Sequence, residues 1–211
     1  FAEIARGVEQ LCIEAGYRPI LLSSHGDRDL EAENLTSLKA LKPAGALIAP
    51  LGRASDRSAI ERFSVDVPTV LFDSNIEAVG EDFIGSDNDQ SIALIVEYLT
   101  RTGDAPAFFE MAMPVNPNAN KRRQAYLAAM DRLGHAPKLI QVDGDGWAFE
   151  EIGFTGGMAL FSGGLPERRS ILCSNDRLAI GLLSAAFERG LRVGHGARRA
   201  STLKGGCRRG H

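Results

Sequence analysis

Two hydrophobic periods take turns along this chain. It opens on a spacing of three and four, with Phe1, Ala5, Val8, Cys12 and Ala15 in phase, and Gly16 ends the stretch. That period predicts a helix. Short apolar runs then recur: "RPILLSS" (18–24), "GALIAP" (45–50), "PTVLFDS" (68–74), "EDFIGSD" (81–87), "APAFFEM" (105–111), "KLIQVD" (138–143) and "SILCS" (170–174). Each predicts a strand. Helical periods separate most of them, at about 30–41, 56–64, 88–102, 119–133, 149–162 and 176–189. In the third of these, Ile92, Ile95, Val96 and Leu99 share one face. Strands alternating with helices predict βαβ units, hence an α/β fold with parallel sheets. The strands are continuous apolar runs, which is expected where helices cover both faces of a sheet.

The pattern is unusual at both ends. A parallel sheet rarely begins with a helix that no strand precedes. After Val193 the hydrophobic period stops, and "GHGARRASTLKGGCRRGH" (194–211) is basic, with no acidic residue. That tail is expected to be disordered or non-native, the product of a reading-frame change or a cloning artefact.

Composition narrows the picture further. The chain has 211 residues, 44% hydrophobic and 24% charged, an ordinary globular balance with room for one large domain or two small ones. A formal charge of −3 argues against a nucleic-acid-binding surface over the whole chain. No apolar run reaches the ~20 residues of a membrane helix. Cys12, Cys173 and Cys207 are too scattered for a disulfide framework or a zinc site. The four histidines, His25, His135, His195 and His211, share no metal-ligand spacing. Neither metal nor cofactor is expected.

Polar residues collect where strands end: Ser23-Ser24, Asp73-Ser74-Asn75, Asp87-Asn88, Asp143 and Asn175-Asp176. In open parallel sheets, ligands bind beyond the carboxyl ends of the strands. The same residue types also cap helix N-termini in any protein, so each position is open to a cap and to a contact. The phosphate-binding Gly-rich loops and the Gly-x-Ser-x-Gly elbow are missing. An α/β phosphotransfer enzyme using Asp73 or Asp143 is the alternative from a different class.

Six stretches in order carry a resemblance. "ILCSNDRLAIGLLSAAFERGLRVG" (171–194) resembles the C-terminal-subdomain signature of the lactose-repressor family of bacterial transcription regulators: apolar strand, Asn-Asp, Ala-x-Gly, then a helix ending near a Gly. "FAEIARGVEQLCIEAGYRPILLSS", "LKPAGALIAP", "PTVLFDS", "IGSDNDQSIALIVEYLTRTG" and "RRQAYLAAMDRLG" are similar to upstream parts of that family in the same sequence order. The likeness covers about residues 1–193.

The resemblance implies the type I periplasmic-binding-protein fold, two doubly wound parallel-sheet subdomains with a ligand between them. The subdomains would be 1–87 and 88–193, with the family's first and last strands missing and its helix-turn-helix head outside the chain. It implies an effector-binding and dimerisation core, cytoplasmic and not an enzyme, taking a small polar effector, a sugar or sugar derivative. A homodimer is expected, with operator DNA reached only through the missing head. An exported sugar-binding protein of a transport system is the alternative. Family effector positions carry over onto Asp87, Asn118, Arg122, Trp147 and Asn175, with Asp73, Arg123 and Asp176 as secondary candidates. Arg122 offers a planar fork of donors, and Arg123 replaces it if the match slips by one. Asp87 would accept from hydroxyls, and Trp147 would stack on a sugar face. Asn175 would both donate and accept at the ligand, while Asp176 is expected to cap the helix.

Overall fold

Two parallel sheets organise the chain, one after the other. A computed structural model describes residues 2–80, 82–194 and 199–201, the last three as backbone. The element order is α1 (Ala2–Glu14), α2 (Arg28–Ala40), β1 (Ala46–Ile48), α3 (Arg57–Asp66), β2 (Thr69–Phe72), β3 (Asp82–Ile84), α4 (Asn88–Thr102), β4 (Ala107–Met111), α5 (Pro117–Arg132), β5 (Leu139–Val142), α6 (Phe149–Leu160), β6 (Ile171–Cys173), α7 (Asp176–Glu188) and β7 (Arg199–Ser201). The first sheet runs β1-β2-β3 and the second β5-β4-β6-β7, every pair parallel. This is an α/β fold with two successive parallel sheets.

The second sheet shows why its strands carry no polar alternation. Side chains of a strand point to opposite faces in turn. Phe108 and Leu172 face α4 and α5, among Ile92, Val96, Leu99 and Tyr126. Phe109, Ile171 and Cys173 face α6 and α7, among Ile152, Leu178 and Leu182. Helices therefore cover both faces, and all five residues of β4 are buried, Glu110 included. Around the first sheet, Leu35 of α2, Ile60 and Phe63 of α3, and Leu71 of β2 form a smaller core.

Two expectations are corrected. The run 18–24 forms no strand, and Ile20, Leu21 and Leu22 are 60%, 79% and 44% exposed. A strand exists only through a neighbour that takes its hydrogen bonds, and none pairs with this segment among the described residues. The preceding α1 shares that lack of cover: Ala5, Val8 and Cys12 are its less exposed positions, yet none of its residues is buried. The tail is not wholly without structure either, since Arg199–Ser201 lies parallel to β6 with Ile171 opposite Arg199. Backbone pairing needs no hydrophobic period, which is why the sequence pattern misses it. The rest of the tail call, 195–198 and 202–211, lies outside the described residues.

Candidate functional site

The carboxyl ends of β2, β4, β5 and β6 turn into the segments that carry the candidate residues. After β2 the chain bends sharply: Asp73 takes φ +62° and Ser74 N donates to the Phe72 carbonyl. That conformation is uncommon outside Gly, and Asp tolerates it better than most residues. At the start of α5, Asn116 caps through Asn118 N at 2.8 Å, with Pro117 in the first turn. The cap sets Asn118 facing Asp73: its Nδ2 donates 2.7 Å to the Asp73 carbonyl and 3.4 Å to Oδ1.

One turn further along α5 stands Arg122. Its Nε donates to Asn88 Oδ1 and its Nη1 to the Ser174 carbonyl, both at 2.8 Å. Asn88 donates in turn to the Ser86 carbonyl at 3.2 Å and to Asn118 Oδ1 at 3.4 Å. A chain of polar contacts thus runs from the end of β2, through α5 and the start of α4, to the end of β6. Burial pulls the Arg122 guanidinium below its ordinary pKa, and the Asp73 and Asp176 carboxylates oppose that shift. Arginine stays charged regardless, so the cluster holds a partly desolvated cation flanked by two carboxylates.

Trp147 comes from the loop between β5 and α6. It meets Phe149 edge to face, ring centroids 5.7 Å apart, and lies against the main chain of Gly26. A Cβ at Gly26 would stand 2.7 Å from the indole Cδ1, so the ring packs where only a glycine leaves room. Trp147 thereby brings the loop after β5 onto the turn before α2.

Other candidates are committed to local work. Asp87 caps α4 by accepting from Gln90 N at 2.9 Å, and it is exposed. Arg123 points away from Arg122's neighbours. It pairs at 2.7 Å with Glu110, which is fully buried and also accepts from Gln141 Nε2 at 3.2 Å. Successive helix positions face about 100° apart, so Arg123 is a packing ion pair and not the substitute for Arg122. Asn175, not Asp176, caps α7: its Oδ1 accepts from Leu178 N at 2.8 Å. Asp176 Oδ1 accepts from its neighbour Arg177 N at 3.0 Å. The expectation that Asp176 caps this helix is therefore corrected.

Asn88 and Ser174 were missed as partners of Arg122. The Asp-Asn pair at a helix start was the available signal for Asn88. No sequence signal marks Ser174, which contributes its carbonyl. Among the described residues no cluster of three or more His, Cys, Asp or Glu is arranged to hold a metal ion, and no helix is long and apolar enough to cross a membrane.

Comparison with known proteins agrees with this architecture. Residues 1–200 match the family described as periplasmic binding proteins and sugar binding domain of LacI family. The Ribose operon repressor of Escherichia coli K12 is 29% identical over 92% of this chain, which spans 58% of that repressor. Transcription regulator CcpA of Lactococcus lactis has a similar fold, with TM-score 0.78, 20% identity and coverage of 95% of this chain and 72% of that one. A Lac repressor structure with bound ONPG superposes with TM-score 0.72 at 22% identity, over 94% of this chain and 59% of its own.

Proposed function

Since the chain belongs to the family of periplasmic binding proteins and LacI-type sugar-binding domains, we propose that it is the effector-binding and dimerisation core of a cytoplasmic bacterial transcription regulator. Residues 1–87 and 88–193 are its two subdomains, and a small polar effector, a sugar, sits between them. The observation that carries this reading is the polar chain Asp73–Asn118–Asn88–Arg122–Ser174. It joins the ends of strands from both sheets around one partly buried cation. Trp147 supplies the apolar wall against which a sugar ring stacks. Asn175 Nδ2 and Asp176 supply a donor and an acceptor.

No chemistry is performed on the ligand. Binding favours one arrangement of the subdomains, and a helix-turn-helix head elsewhere in the protein reads that arrangement at operator DNA. Such coupling needs a difference of ~1–3 kcal/mol in ligand affinity between two states. An exported sugar-binding protein shares the fold. The repressor that aligns over nine-tenths of the chain supports the regulator instead.

The outer face of α7 is where the dimer forms. Ile180, Leu183 and Phe187 are 52%, 41% and 83% exposed there, and Leu183 and Phe187 line one groove with Phe154, Leu191 and Val193. Phe187→Asp is expected to turn a dimer into a monomer in sedimentation.

D-ribose is the first ligand to test, because the named relative is a ribose operon repressor. Trp147 is the single tryptophan, so its fluorescence reports on the cleft directly. Ribose at ~100 times its Kd is expected to raise stability by ~2.7 kcal/mol and to change that emission. A shift with purines or amino acids, and with no sugar, would remove the sugar reading.

A further inference from the structure

We propose that Asn88 is a positioning residue that sets the specificity of this site: by holding one edge of Arg122 it turns the arginine toward an uncharged hydroxylated ligand and away from a carboxylate. The inference rests on the effector-binding reading and deepens it.

A guanidinium grips a carboxylate with two parallel N–H bonds, from the Nε–Nη2 edge or from the Nη1–Nη2 end. Here Nε is spent on Asn88 Oδ1, which closes the first edge. Nη1 is engaged by the Ser174 carbonyl, so a carboxylate at the other end competes with a main-chain acceptor. Only Nη2 has no partner among the described residues. Three N–H donors are then left, two on Nη2 and one on Nη1, and they suit hydroxyl oxygens, each of which needs a single bond.

The grip on Arg122 is fixed from behind. Asn88 is 7% exposed, and its Nδ2 faces the Ser86 carbonyl and Asn118 Oδ1, both acceptors. Its amide cannot turn over without setting oxygen against oxygen, so Oδ1 must face Arg122. Asn118, 3% exposed, is held in turn by the Asp73 carbonyl. Charge points the same way. The Asp73 and Asp176 carboxylates both act on Arg122, so an anionic ligand there would meet two like charges.

The test compares matched pairs, D-ribose with D-ribonate and D-glucose with D-gluconate, on the full chain and on Asn88→Ala and Asn88→Asp. In the wild type the uncharged member of a pair raises Tm, and its acid binds at least about tenfold more weakly, the scale of one charge-assisted hydrogen bond. Asn88→Ala frees the Nε edge, so the sugar-to-acid affinity ratio falls about tenfold or more. Asn88→Asp keeps an acceptor for Nε and restores the ratio. A merely structural Asn88 would lower both affinities together and leave their ratio unchanged, and that result overturns the proposal. So does a wild type that prefers the acid. A ligand-free measurement separates the two levels: the Arg122 Nε–H is protected from exchange in the wild type and unprotected in Asn88→Ala. With that protection present and no member of either pair binding, the sugar reading fails and takes the specificity claim with it. With protection equal in both proteins, the positioning claim fails by itself.

Discussion

Gly181 of α7 lies directly on the main chain of α6 at Glu150. A Cβ on Gly181 would overlap the Glu150 carbonyl oxygen and stand 2.6 Å from Phe154 N. Gly153 of α6 is pressed in the same way onto the backbone of Leu178. The two helices therefore touch backbone to backbone, each through a glycine of its own. Gly181 is the Gly of the Ala-x-Gly signature, so that part of the signature has a packing cause. Gly181→Ala is expected to wedge the helices apart and cost about 1–3 kcal/mol or more, although alanine favours a helix by itself. Urea unfolding measures it. An unchanged midpoint would mean the helices part at no cost.

Arg123 and Arg122 are adjacent and do different work. Arg123→Ala leaves Glu110, with a side chain fully out of solvent, without its cation. Stranding a buried charge in this way costs about 3–5 kcal/mol. The double change Glu110→Met with Arg123→Met is expected to recover most of that loss, because no charge is left to strand. A double-mutant cycle by chemical denaturation checks both. Ribose affinity, measured where the variants remain folded, should be unaffected by either.

Asn175 caps α7, and the ligand contact proposed for its Nδ2 separates from that cap by substitution. Asn175→Ala loses the bond from Leu178 N and about 1 kcal/mol of stability. Asn175→Asp keeps the capping oxygen but replaces the Nδ2 donor with an acceptor. Its Tm should stay close to the wild type while its ribose affinity drops. If Asn175→Asp binds ribose as the wild type does, Asn175 is a cap and nothing more.

Tyr126 ties the middle of α5 to the residues that lead into β4 and β5. Its hydroxyl donates to the Pro106 carbonyl at 2.8 Å and accepts from Lys138 N at 2.9 Å. Burial pushes the phenol above its ordinary pKa, against the smaller effects of the Lys138 backbone and the Arg168 charge. The unfolded chain releases this proton near pH 10, whereas the native chain still holds it. The contribution of Tyr126 is thus complete below about pH 10 and declines as pH rises through the native value. Tyr126→Phe is expected to cost about 1–3 kcal/mol at neutral pH, since it removes the acceptor of Lys138 N and a donor to the Pro106 carbonyl. Its disadvantage should shrink above pH 10. Stability curves of the two proteins from pH 7 to 11 provide the comparison.

The sequence by itself determined the fold class and the run of elements. Continuous apolar runs and helical periods are local properties, and β4, β5 and β6 lie where such runs occur; β7, which pairs by its backbone alone, does not. It also placed polar residues at strand ends, where loops of a parallel sheet gather. Tertiary structure decided what each of them does. Asp87, Asn116 and Asn175 look alike in one dimension, and all three cap helices. What distinguishes Asn88 and Asn118 is the arginine and the carbonyl that long-range folding brings to them, 34 and 45 residues away in sequence. The same reason explains the segment 18–24, which is apolar enough for a strand. A helix closes its hydrogen bonds within itself, but a strand takes them from another part of the chain, and no local pattern shows whether that partner is there.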